Sequence, residues 1–79
     1  MNAKNLSGPR IKIARTNKDM DQVDLSAALD LEYNVKLDQS DISEIERQVR
    51  GVKDFELDAI ARVLDVSLSW LVRGNGEDI

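Results

Sequence analysis

The sequence predicts an all-α domain of five short helices, and three observations predict it. Cap-forming residues recur ahead of apolar stretches, apolar residues behind them keep i, i+3, i+4 spacing, and no segment of four or more residues alternates as a strand does. At 79 residues the chain is one domain, and a chain of that length buries only about 60% of its unfolded surface. The expected ordered core is about residues 8 to 74, with loose ends at 1 to 6 and 75 to 79.

Ser7 stands where it can cap a first helix over about residues 8 to 18. Pro9 falls in the opening turn, where a missing N–H costs nothing, and Ile11, Ala14 and Lys18 share a stripe. Asp21 and Asp24 have capping-box spacing, with Leu25, Ala28 and Leu29 as the buried stripe of a second helix. Its period fails after Leu31 and Asn34 is a turn former, so the helix ends between Asp30 and Tyr33. Asp38 then caps a third helix over about residues 39 to 48, answered by Asp41, while Leu37 and Ile42 form a hydrophobic staple around the cap. Ile42 and Ile45 are its only apolar seam, too little for a helix this short to persist alone. Asp54 is expected to cap the fourth helix, in which Leu57, Ile60, Ala61 and Leu64 run without a break. Val66, Ser67 and Leu71 repeat the staple and cap for a fifth helix from Leu68 to Arg73, and Gly74 follows as its stop.

Composition narrows the chemistry. The chain is 42% hydrophobic and 33% charged, ordinary for a folded globular domain. It has no cysteine and no histidine, so zinc fingers, disulfides, thiolate nucleophiles and imidazole bases are excluded together. No enzymatic constellation can be assembled, and no cofactor, metal or small-molecule effector is expected. No apolar run is long enough to span a bilayer, and the stretch MNAKNLSGPR lacks the apolar centre of a signal peptide; a cytoplasmic protein without a membrane partner is expected.

Net charge is −4, but it is unevenly laid out. Residues 1 to 18 carry five bases and no acid, residues 19 to 46 carry nine acids against Lys36, and the remainder is close to balanced. Phosphates would therefore meet the first helix and the segment holding Arg47, Arg50 and Lys53. The basic faces of the first helix read equally as a solvated surface.

These residues together resemble the Cro and phage-repressor type, XRE-like, helix-turn-helix family over about residues 8 to 74. The resemblance rests on Arg10-Ile11 and Arg15, Gln22 with Leu25, Gln39-Ser40-Asp41-Ile42-Ser43 followed by Ile45-Glu46-Arg47, Glu56-Leu57 with Ile60-Ala61 and Leu64, and Val66-Ser67-Leu68-Ser69-Trp70-Leu71. It implies a lambda-repressor-like domain whose second and third helices form the helix-turn-helix. It implies base contacts from Gln39, Ser40 and Glu44, and phosphate contacts from Gln22, Ser43, Arg47, Arg50 and Lys53. Arg15 and Glu46 match a structural ion pair joining the first helix to the end of the third. Three positions depart from the pattern. About six extra residues lie between Gln22 and Gln39, which suggests a protruding loop or a tilted third helix. Ser26 replaces a small alanine, and Gln48 replaces a helix-ending glycine, which suggests a different exit.

The chemistry of each side chain supports these roles unequally. Gln39 can offer adenine a donor and an acceptor together, worth roughly 1–3 kcal/mol of discrimination, or it can be a helix-end residue without a base contact. Glu44 suits only the amino group of cytosine and reads equally as a solvated or discriminating charge. Arg15 and Glu46, if exposed and independent, attract each other by about 0–1 kcal/mol. Trp70 reads as core, with Leu68, Trp70 and Val72, together with Ile79, as a candidate dimer surface. The expected function is sequence-specific binding of a double-stranded DNA operator as a homodimeric transcriptional regulator of repressor type. The alternative is a protein-interaction module, an anti-regulator or antitoxin-like partner, in which the acidic middle segment faces a basic protein.

Overall fold

The computed structural model describes residues 2 to 74. Five helices follow in order: α1 (Gly8–Asn17), α2 (Gln22–Tyr33), α3 (Gln39–Glu46), α4 (Asp54–Leu64) and α5 (Leu68–Arg73), with no strand among the described residues. The all-α expectation is met. α2 packs on α3 and α4, α1 packs on α3, α4 and α5, and α5 closes against α4. Residues 75 to 79, including Ile79, lie outside the described part of the chain.

Where caps are local, the structure follows the reading of the residues. Asp21 accepts the backbone N–H of Asp24 at 2.8 Å, and Asp24 accepts that of Asp21 at 2.9 Å. Asp38 and Asp41 repeat the reciprocal bond at 2.8 and 3.0 Å, and Ser67 Oγ accepts the N–H of Trp70 at 2.9 Å. Each bond satisfies a donor that the first helical turn leaves without a partner.

Two other starts differ. Ser7 lies at the head of α1, yet its Oγ is buried without a hydrogen bond and does not cap. Asn5 does that work: its Oδ1 accepts the N–H of Gly8 at 2.8 Å. Asp54 is the first residue of α4 rather than its cap; the N-cap position is Lys53, whose N–H donates to Glu56 Oε1 at 2.9 Å. Lys18 is exposed at the end of α1, and the buried residue beside Ile11 and Ala14 is Arg15.

The long connection between α2 and α3 is not a protruding loop. α2 runs to Tyr33, within the expected end between Asp30 and Tyr33, Asn34 reverses the chain at φ 55, and Val35 and Leu37 return to the core. Leu31, 87% exposed, and Tyr33 project on the last turn of α2. Ser26 donates from Oγ to the carbonyl of Leu37 at 2.6 Å, so the residue that replaces alanine ties α2 to the connecting segment. Gln48 adopts φ 64, the left-handed geometry that glycine supplies, so α3 leaves by the usual kind of exit after all.

The core is built from Ile11, Leu25, Leu29, Ile42, Ile45, Ile60, Leu64 and Leu71, each at most 2% exposed. Full burial of such side chains contributes about 1.5–3 kcal/mol each before the entropy of ordering them is set against it. Trp70 joins them at 8% exposed, as its core reading requires. Gly8 brings α1 against the end of α3: a Cβ there would clash with the carbonyl oxygen of Ile45 and stand 2.9 Å from that of Glu46.

Candidate nucleic-acid interface

α3 is held by one face and offers the other. Ile42 and Ile45 are buried at 1% exposure each, while Gln39 and Ser40 are exposed and Ser43 and Glu44 half-buried. The 3.6-residue period puts Gln39, Ser40, Ser43 and Glu44 on one surface because the two isoleucines occupy the opposite side. That surface is short and polar, of the dimensions a major groove admits.

Its attachment is stiff at the C-terminal end. Arg15 Nε and Nη2 donate to the two oxygens of Glu46 at 2.7 and 3.0 Å, and Arg15 Nη1 donates to the carbonyl of Met20 at 2.8 Å. Both partners are buried, with side chains 9% and 3% exposed, so this is the expected ion pair in its structural form. The bond to Glu46, first among the causes, raises the pKa of Arg15 against the opposing effect of burial. A two-bond guanidinium–carboxylate pair fixes orientation as well as distance.

Gln22, the first residue of α2, is half-buried and joins this network. Its Nε2 donates to Glu46 Oε1 at 3.1 Å and its Oε1 accepts a long bond of 3.4 Å from Gln39 Nε2. One chain of contacts therefore runs from Arg15 through Glu46 and Gln22 to Gln39. The second amide hydrogen of Gln22 Nε2 is not used by the bond to Glu46.

The cations differ in availability. Arg47 is exposed and its Nε donates to Ser43 Oγ at 3.3 Å, which leaves the Ser43 hydroxyl hydrogen free to point outward. Lys53 is exposed, its ammonium 5.8 Å from the ring centroid of Phe55. Arg50 is different: it meets Glu56 Oε1 at 3.4 Å and Asp41 Oδ1 at 3.9 Å, and donates to the carbonyl of Gly51 at 2.9 Å. Two carboxylates already neutralise Arg50, so it is the least suited of the expected phosphate contacts. Ser40 Oγ donates to Asp38 Oδ1 at 2.9 Å. The Asp38 carboxyl titrates below the ordinary range, chiefly through the N–H of Asp41 and next through the Ser40 hydroxyl. A fixed negative charge therefore stands beside Gln39.

Two residues escaped sequence reasoning. Glu56, buried at 6% exposure, holds both the start of α4 and Arg50; its three-residue spacing from Lys53 was the available signal. Asn5 donates from Nδ2 to the carbonyls of Ile45 at 3.0 Å and Arg50 at 2.8 Å, clasping the exit of α3. Lys4 and Asn5, placed by the sequence in a loose end, are thus tied down: the Lys4 N–H donates to Gln48 O at 2.9 Å and Gln48 Nε2 to Asn5 O at 3.0 Å.

The geometry is that of two helices joined by a short irregular connection, the second presenting polar residues from a rigid base. Comparison with family models matches residues 11 to 71 to the helix-turn-helix model. The chain belongs to the Cro/C1-type, XRE-like helix-turn-helix family. A search among curated proteins finds no match. Membership gives the chain its general role, DNA binding in transcription regulation. No helix among the described residues is long and apolar enough to cross a membrane.

Proposed function

We propose that this helix-turn-helix protein is a repressor that binds a two-fold symmetric operator as a homodimer in the cytoplasm, with α3 in the major groove. The observation that carries the reading is the polar face of α3, backed by buried Ile42 and Ile45 and braced through the chain from Arg15 to Gln39. On this account Gln39 reads adenine, Ser40 and Glu44 adjoin the neighbouring base edges, and Gln22, Ser43, Arg47 and Lys53 position the backbone. Glu44 and Asp38 exclude sequences that bring no amino group to meet them. Leu68, 43% exposed, and half-buried Val72 offer a small apolar dimer surface on α5, which Trp70 supports from below. One domain makes too few contacts for tight specific binding, so the second copy supplies the other half-site.

Gln39→Ala tests the base-reading assignment. It should weaken binding to a selected site by about tenfold or more, on a contact worth roughly 1–3 kcal/mol, and leave binding to mixed-sequence duplex nearly unchanged. Equal losses on both duplexes would remove Gln39 from base readout. A second reading draws support from the exposed Val23 and Leu31 amid the acids of α2, which suit a basic protein partner. Failure of the wild-type protein to bind any duplex at low salt would favour it.

A further inference from the structure

Resting on the DNA-binding reading, we propose that Lys4 is a phosphate-contacting residue of the interface, held beside the exit of α3 by the Asn5 clasp. The segment preceding α1 runs along the turn that follows α3. The Lys4 N–H donates to Gln48 O at 2.9 Å, and a Cβ on Gly51 would stand 3.8 Å from the Lys4 carbonyl. Asn5, 9% exposed, fixes that placement with three hydrogen bonds, to Gly8, Ile45 and Arg50. Lys4 therefore belongs in space to the turn that carries Arg47 and Lys53, though more than forty positions separate them in the chain.

Arg50 is occupied by Asp41 and Glu56, so the turn lacks one of the free cations that its sequence advertises. Lys4 is exposed, and among the described residues no ion pair engages its ammonium. Its backbone is anchored while its flexible stem is free, which suits a phosphate contact that must adapt to the path of the duplex.

The test measures binding of the full chain to a mixed-sequence duplex across a range of salt concentrations for wild type, Lys4→Gln, Lys4→Glu and Arg62→Gln. Each phosphate neutralised adds about 0.9 to the magnitude of the log–log salt slope. Lys4→Gln retains the backbone N–H and should lower the slope by about 0.9, with affinity near 0.1 M salt falling about five- to tenfold. Lys4→Glu should weaken binding further. Arg62→Gln, whose charge is already met by Asp58, should leave the slope unchanged. An unchanged slope in Lys4→Gln, with wild-type binding intact, overturns the proposal, as does an affinity loss without a slope change, which would mark Lys4 as merely structural. Absence of wild-type binding at low salt would instead remove the DNA-binding reading, and this proposal with it.

Discussion

At the scale of single residues, Glu46 has the most consequences. It accepts both bonds of Arg15 and one of Gln22, so the position of Gln39 depends on a buried carboxylate. Removing one partner of a buried pair strands the other charge and costs about 3–5 kcal/mol. Glu46→Ala should therefore lower the unfolding free energy by about that much. The Arg15→Met, Glu46→Leu double variant should recover a large part of it, because no unpaired charge remains. Chemical denaturation of the three proteins checks this, and a double variant no more stable than Glu46→Ala would show that the pair's packing, rather than its charge balance, matters.

The residue scale is also where the sequence was hardest to read. Arg15 and Glu46 were legible only through resemblance, since no periodicity links positions 31 apart. The surroundings of Arg50 were hidden for a related reason. Its charge was visible, whereas the carboxylates of Asp41 and Glu56 reach it only once α3 and α4 are packed. Asn5 bridges to carbonyls at Ile45 and Arg50, and backbone acceptors leave no trace in a sequence.

At the scale of elements, the caps at Asp21, Asp38 and Ser67 and the stops at Asn34 and Gly74 were legible, whereas the caps of α1 and α4 and the exit of α3 were not. Capping is a bond between residues three apart, so Asp21 with Asp24, Asp38 with Asp41, and Ser67 ahead of Trp70 announce themselves. Exits depend on what the following segment packs against. Asp19, Asn34, Gln48 and Asp65 all take left-handed backbone, and only Asn34 was an evident turn former. The cap of α3 also carries a pH signature. Asp38 titrates below its ordinary value in the folded protein, so its contribution is fully present above the unfolded carboxyl pKa near 4 and is lost as pH falls through the lower native value. Asp38→Asn keeps an acceptor for the Asp41 N–H but does not titrate. The stability difference between wild type and Asp38→Asn should thus shrink on acidification below about pH 4, measured by thermal melts. A difference that stays constant with pH would mean that the cap is electrostatically neutral.

For the whole molecule, the packing brings the basic beginning of the chain onto the turn after α3, next to an acidic α2 and cap. Net charge of −4 is therefore no objection to a polyanionic ligand, because one edge is basic while the remainder repels. That polarity favours binding in one orientation and penalises non-specific association. The fold class was legible throughout, since five capped apolar stripes agree with one another. The connection after α2 was the principal departure: where a protruding loop was expected, α2 continues to Tyr33 and the chain turns back to the core through Val35 and Leu37, leaving Leu31 exposed.

The central claim, that α3 reads a defined DNA sequence, is tested most directly by selecting bound duplexes from a random pool with the wild-type protein. The account predicts enrichment of a single site with two-fold related halves about one helical turn apart. A pool that stays unenriched after repeated rounds, at salt low enough for phosphate contacts to hold any basic surface, would contradict it.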